Sequence, residues 1–105
     1  MKAFEIVELL TSLKNEKNIE SMKKYGITSR ATILGIPKPE LRKIAKKIGV
    51  NHKLALELWG TNIHESRIIA TLIADPEKID EQTLDTWVRD IDNWDLCDQC
   101  ILNLF

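Results

Sequence analysis

An aromatic ring and a carboxylate stand four residues apart near the end of this 105-residue chain, at Trp94 and Asp98. On a helix, residues i and i+4 lie on the same face with their Cβ atoms about 5–6 Å apart. An aromatic face beside a carboxylate is suited to hold a cation and to stabilise positive charge that develops next to it. Taken alone, the pair favours a structural interpretation, with Trp94 in the core and Asp98 at a solvated edge, because most Trp side chains are largely buried.

The cysteines and histidines offer weaker candidates. Cys97 and Cys100 form a CxxC motif, but no further pair of ligands at zinc spacing and no preceding strand of a thioredoxin-type site accompany it. On a helix the two thiols share a face with apolar residues, so we predict core packing. His52 and His64 stand near helix starts, and the segment after His64 lacks the second histidine of an HExxH motif. We therefore predict that both histidines are surface or capping residues.

Three acidic residues near Trp94 resemble part of a calcium loop. They are Asp90, Asp92 and Asp95. Trp94 occupies the fifth position of that motif, however, and Asp95 stands where the loop requires glycine, so the motif fails. We predict neither a metal nor a cofactor for this chain.

Every segment with clear hydrophobic periodicity has the helical period, and none alternates like a strand. The clearest stripe follows a loop rich in Gly and Pro, has Pro39 in its first turn and ends at Gly49; it consists of Leu41, Ile44, Ala45 and Ile48. Asn51 is predicted to cap the next helix and Asn93 the last one, which places Asp95 in a first turn where a carboxylate suits the helix dipole. The sequence predicts an all-α fold of about seven helices.

A weak internal repeat relates the middle of the chain to its end. Shifting the sequence by 28 positions superposes three apolar residues on three others, namely Leu56, Trp59 and Ile63 on Leu84, Trp87 and Ile91. Two helical hairpins stacked side by side would begin an α-solenoid, although 28 residues is shorter than the ~40–47 residues of HEAT-type repeats.

Composition describes a single domain over residues 1–105, with 44% apolar residues and a formal net charge of −1. The sequence contains no apolar stretch long enough to span a membrane, and it does not begin with a secretory leader. We therefore expect a cytoplasmic protein without a membrane partner. The charge is divided unevenly: residues 1–50 carry +6 and residues 51–105 carry −7. Such asymmetry hints at a polyanionic partner, although charge alone favours a merely solvated basic face.

The last seven residues, from Gln99 to Phe105, carry no charge, and their apolar side chains would surround most of a helix. A helix that is apolar all round is normally buried. We therefore expect the chain to be the N-terminal part of a longer protein, or the helix to be covered by a partner, with self-association as a homodimer as the alternative.

Four segments together resemble the AlkD-type DNA alkylation repair proteins: residues 34–42 (LGIPKPELR), 54–59 (LALELW), 63–67 (IHESR) and 92–99 (DNWDLCDQ). The resemblance runs through the whole chain, which covers about half of a typical family member, and the Trp-Asp-x-x-Asp segment is its most specific part. Asn93 stands where some members have another Trp. A second cleft Trp and an Arg of the family would lie beyond Phe105.

The resemblance implies a HEAT-like α-solenoid that holds duplex DNA. It also implies the activity of a DNA glycosylase, a hydrolase that excises cationic N3- and N7-alkylpurines. By motif position, Trp94 matches the aromatic residue that packs against the lesion nucleotide, Asp98 matches the catalytic carboxylate and Tyr25 matches an aromatic residue near the cleft. The residues implied as contacts to DNA phosphates are Lys23, Lys24, Arg30, Lys38, Arg42, Lys43, Lys46 and Lys47. We expect the 105-residue chain alone to be inactive, because half of the cleft would be absent. The alternative is a helical-repeat module that binds DNA or protein without chemistry.

Overall fold

The computed structural model describes residues 1–104 of the chain. Within this range it forms seven helices: α1 (Ala3–Ser12), α2 (Glu16–Lys24), α3 (Lys38–Ile48), α4 (His52–Trp59), α5 (His64–Ile73), α6 (Glu81–Asp90) and α7 (Trp94–Leu104). The β-type backbone pairing within the described range is one isolated parallel bridge between Thr32 and Ile63. The predicted all-α fold is confirmed.

Side-chain caps start several helices where the sequence places them. The Asn51 side chain accepts a hydrogen bond from Leu54 N at 3.1 Å, and the Asn93 side chain accepts one from Leu96 N at 2.9 Å. Each bond satisfies a backbone donor that lacks an intrahelical partner at the start of a helix. The α7 cap fixes the start of the helix that carries both Trp94 and Asp98.

The core is organised around α5, which packs against α1, α3, α4 and α7. Ile68, Ile69 and Ile73 on its apolar face are buried. The polar residues of its first turn are buried as well, beginning with His64 and Glu65. Burial of polar groups is unfavourable unless they are hydrogen-bonded. The start of α5 must therefore find polar partners elsewhere in the fold.

The two tryptophans that the internal repeat superposes are in direct contact. Trp59 and Trp87 stack with ring centroids 4.2 Å apart and planes at 3°. The Trp59 indole N–H donates to Asp90 Oδ2 at 2.9 Å, and the Arg67 guanidinium lies 5.3 Å from the Trp59 ring centroid. This stack joins the end of α4 to α6 and fits the predicted side-by-side arrangement of helical hairpins.

One face of α7 packs into the core and another is uncovered. Leu96 and Cys100 are buried, whereas Ile101 and Leu102 are exposed. Phe105, which we also assigned to the apolar surface of this helix, lies outside the described residues. No helix within residues 1–104 has the length and hydrophobicity needed to cross a bilayer.

Candidate DNA-binding and catalytic site

The start of α7 presents an aromatic ring to solvent. Trp94 is 51% exposed, so the core position that the Trp94 and Asp98 pair favours when taken alone is wrong. Its indole N–H donates to the backbone oxygen of Tyr25 at 3.0 Å, and the Tyr25 side chain is itself 74% exposed. The fold therefore brings together two aromatic residues that lie 69 positions apart in the sequence.

Asp98 follows Trp94 by one helical turn and is also exposed. Because both residues lie within α7, the i, i+4 geometry predicted from the sequence holds, and the carboxylate and the indole share one face. An exposed aromatic surface beside an exposed carboxylate can receive a cation from solvent. The pair thus has the accessibility that its chemistry requires.

Asp92 ties the loop after α2 to the turn before α7. Its carboxylate accepts hydrogen bonds from Ser29 Oγ at 2.7 Å, from Arg30 N at 2.8 Å and from Arg30 Nε at 3.4 Å. Partial burial tends to raise the pKa of Asp92, but the hydrogen bonds from Arg30, Ser29 and Asn93 outweigh it and the pKa is lowered. This connection keeps the loop that follows Tyr25 close to Trp94.

A buried polar cluster lies directly beneath the site. Asp95 is only 2% exposed; one of its oxygens forms an ion pair with Lys38, and the other accepts a hydrogen bond from His64 Nε2 at 3.0 Å. Burial tends to raise the pKa of Asp95, but the hydrogen bonds and charges of His64 and Lys38 outweigh it and the pKa is lowered. Because an ionised carboxylate only accepts, His64 must carry its proton on Nε2.

The prediction that His64 is a surface or capping residue is therefore wrong, since the side chain is 1% exposed and paired with Asp95. His52 is half-buried, and its Nδ1 accepts a hydrogen bond from Asp75 N at 3.3 Å. Sequence spacing carries no signal for the pairing of His64 with Asp95, because the two residues are 31 positions apart.

Glu65 holds the loop that leads into α3. It is buried, and its two carboxylate oxygens accept hydrogen bonds from Leu34 N at 2.9 Å and from Gly35 N at 3.0 Å. Gly35 has φ +79°, and a Cβ there would lie 2.4 Å from Asn15 O, so this position requires glycine. The loop fixes where α3 begins and hence where Lys38 meets Asp95.

The cluster borders a pocket of about 250 Å³ between the starts of α3, α5 and α7 and one side of α2. Its charged lining consists of Lys38, His64, Glu65 and Asp95, and its apolar lining includes Met22, Ile27, Ile36 and Ile68. The pocket therefore has both charged and apolar lining residues.

The basic residues assigned to DNA phosphates divide into groups. Lys23 and Lys24 are exposed at the end of α2, beside Tyr25, and Arg30 is exposed although it is paired with Asp92. Lys38 is engaged by Asp95 and is only 30% exposed, which reduces its availability to phosphate. The remaining four are exposed along α3, running away from the start of α7: Arg42, Lys43, Lys46 and Lys47.

Cys100 behaves as a core residue. It is buried, and burial together with the nearby Cys97 raises the pKa of its thiol to about 12. Cys97 is partly buried. The predicted core packing is thus confirmed for Cys100 and holds in part for Cys97.

Comparison with solved structures finds a close structural relative. The chain matches, with a TM-score of 0.79 and 28% sequence identity, a structure described as "a new family of proteins related to the HEAT-like repeat DNA glycosylases with affinity for branched DNA structures". The match covers 93% of this chain and 41% of that chain, so this chain spans less than half the length of that protein. No curated protein matches the chain.

One protein-family model matches the sequence and assigns the chain to a family. It is described as "DNA alkylation repair enzyme" and matches residues 6–105, which include all seven helices apart from the first residues of α1. Together with the HEAT-like helical fold, this match shows that the chain belongs to the DNA alkylation repair enzyme family.

Proposed function

We propose that the protein containing this chain is a DNA glycosylase that removes cationic alkylated purines from duplex DNA, with Asp98 as its catalytic carboxylate and Trp94 as the aromatic residue against the lesion nucleotide. The observation that carries this proposal is the joint exposure of Trp94 and Asp98 on one face of α7. A tryptophan that served only the core would not present half of its surface to solvent.

The substrate's own charge explains why one carboxylate suffices. A purine alkylated at N3 or N7 is positively charged and leaves without a protonating acid, unlike the leaving group of ordinary glycosidases. As the bond between C1′ and the base nitrogen breaks, positive charge develops on the sugar, and the Asp98 carboxylate stabilises it. The same carboxylate orients a water molecule, whose oxygen bonds to C1′ and whose proton passes to the carboxylate or to solvent.

The aromatic residues bind the cationic part of the nucleotide. An aromatic face attracts a nearby cation by about 0.5–2 kcal/mol. Trp94 has its indole orientation set by the hydrogen bond to the Tyr25 oxygen, and the exposed Tyr25 ring lies on the neighbouring loop. Selectivity then needs no enclosing base pocket, because neutral purines are poor leaving groups.

Basic side chains supply the affinity for the DNA backbone in this proposal. The slope of log K against log salt concentration is negative, and each phosphate contact removed reduces its magnitude by about 0.9 for duplex DNA. The double substitution Lys23→Gln and Lys24→Gln should therefore make the slope less negative by up to about 1.8. Lys78→Gln, an exposed lysine in the acidic half of the chain, is the matched control and should leave the slope unchanged.

The decisive test is release of 7-methylguanine from duplex DNA under single-turnover conditions, using the natural full-length protein. Asp98→Asn should slow release by about 10²-fold or more, as expected when a group that stabilises transition-state charge is lost. Asp85→Asn, at an exposed carboxylate of α6, is the control. Equal release by the wild type and by Asp98→Asn would remove Asp98 from the mechanism.

A second candidate function is binding of branched DNA without chemistry, which the structural match favours because that relative is described as having affinity for branched DNA structures. Binding to a four-way junction and to a matched linear duplex separates the two proposals. Tighter binding to the junction with no release of base by the wild type would favour the binding function, whereas release that depends on Asp98 would favour the glycosylase.

A further inference from the structure

The buried carboxylate next to Trp94 joins the starts of three helices. Lys38 is the first residue of α3, His64 is the first residue of α5, and Asp95 is the second residue of α7. One Asp95 oxygen meets the Lys38 ammonium and the other meets His64 Nε2 at 3.0 Å, so both oxygens are engaged from different elements. This arrangement leaves the first turn of α7 little freedom to rotate or slide.

Stability alone is a poor explanation for such a cluster. Desolvation of a buried ion pair offsets much of its attraction, and well-packed apolar side chains at the same place are often at least as stabilising. Apolar neighbours are available here, since Met22, Ile36 and Ile68 border the same pocket. What charged and hydrogen-bonded groups provide beyond apolar packing is directionality, because each bond has a preferred distance and angle.

We propose that Asp95 is a positioning residue whose contacts with His64 and Lys38 set the orientation of Trp94 and Asp98. The role rests on the function proposed above. Successive helical residues are 100° apart, so Trp94 and Asp98 lie on the same side of Asp95, about 100° and 60° away around the helix axis.

A small rotation of α7 would move Asp98 far enough to affect the reaction rate. Side-chain ends lie about 5–6 Å from a helix axis. A rotation of α7 by about 10° would therefore move the Asp98 carboxylate by about 1 Å, a displacement that can cost about 10²-fold in rate. The same rotation would disturb the 3.0 Å hydrogen bond between the Trp94 indole and the Tyr25 oxygen.

The Trp94 indole N–H is a reporter that does not depend on activity. Its nuclear magnetic resonance signal and its rate of exchange with water can be measured in this chain together with those of the Trp59 and Trp87 indoles. The signal that disappears in Trp94→Phe is that of Trp94. Asp95→Asn should shift the Trp94 signal and speed its exchange by about threefold or more, with the other two indoles unchanged. Asp85→Asn is the control.

Loss of folding would look different. General destabilisation would speed exchange at all three indoles together, and that result, or an unchanged Trp94, would overturn the proposal. If Asp95→Asn does not fold, Lys38→Met decides at a partly exposed position, with Lys38→Arg as the conservative variant expected to restore the wild-type Trp94 signal. An unchanged Trp94 in folded Lys38→Met would then overturn the proposal.

Kinetics complete the test in the full-length protein. Asp95→Asn should lower the single-turnover rate of 7-methylguanine release by about 10–10²-fold while the Kd for DNA stays within about twofold. An unchanged rate would contradict positioning of Asp98. If the wild type releases no base, the proposed glycosylase function fails, and the indole measurements still decide whether Asp95 orients Trp94.

Discussion

Glu65→Gln should destabilise the fold although the substitution preserves the size and shape of the side chain. In the native protein both carboxylate oxygens accept backbone hydrogen bonds, from Leu34 N and Gly35 N. A glutamine offers one oxygen and one NH₂ group in their place. One backbone N–H would then face another donor in a buried site.

The magnitude follows from two unfavourable contributions and one favourable contribution. A buried donor left without an acceptor costs about 1–3 kcal/mol, and the remaining hydrogen bond loses its charge assistance, about 1 kcal/mol more. Removing a buried charge relieves part of its desolvation cost, which offsets some of this loss. We expect the free energy of unfolding to fall by about 2 kcal/mol, and Tm to fall by about 8–16 °C for a domain of this size.

Urea denaturation followed by circular dichroism measures this change, and thermal unfolding provides a second value. Glu57→Gln, at an exposed glutamate of α4, is the matched control and should stay within about 0.5 kcal/mol of the wild type. A Glu65→Gln protein that also stays within about 0.5 kcal/mol would refute the view that this carboxylate holds the loop before α3.

Three further predictions concern the surroundings of the site. Gly35→Ala should destabilise the chain by more than about 1–2 kcal/mol, measured by urea denaturation, because the residue has φ +79° and its Cβ would lie 2.4 Å from Asn15 O; an unchanged midpoint would contradict the observed loop geometry. The pKa of Asp95 is lowered from 3.8, so its contribution to stability is present above that value and is lost as the pH falls through the lower, folded-state pKa. As the pH falls below about 5, the free energy of unfolding should therefore decrease less steeply in Asp95→Asn than in the wild type. Parallel plots of the free energy of unfolding against pH for the two proteins would contradict this. Burial raises the pKa of Cys100 to about 12, so iodoacetamide at neutral pH should leave its thiol unmodified until urea unfolds the chain, as peptide mapping would show; rapid labelling of Cys100 in the native protein would contradict its burial.

Local patterns in the sequence were sufficient to predict the helices and their caps. The period of Leu41, Ile44, Ala45 and Ile48 predicts the buried face of α3, and Leu41, Ile44 and Ala45 are buried. The caps at Asn51 and Asn93 were also predictable, because a cap involves backbone groups only a few residues away. For the same reason the sequence alone places Trp94 and Asp98 on one helix face.

Burial of the polar residues could be decided only by the tertiary structure. His64 and Asp95 are 31 positions apart, and neither has a helical position that marks it as buried. Whether such groups lie inside depends on partners from distant segments, here Lys38 at the start of α3.

The exposure of Trp94 has the same origin. Tryptophan side chains are usually largely buried, and Trp59 and Trp87 do stack in the interior. Trp94 is half exposed, whereas Asp95, the next residue, is buried at the start of α7, and the Trp94 indole N–H donates to the Tyr25 oxygen. The sequence thus determined the helices, their caps and the pairing of Trp94 with Asp98, whereas long-range packing decided which side of α7 faces the core, because burial is a property of contacts between elements.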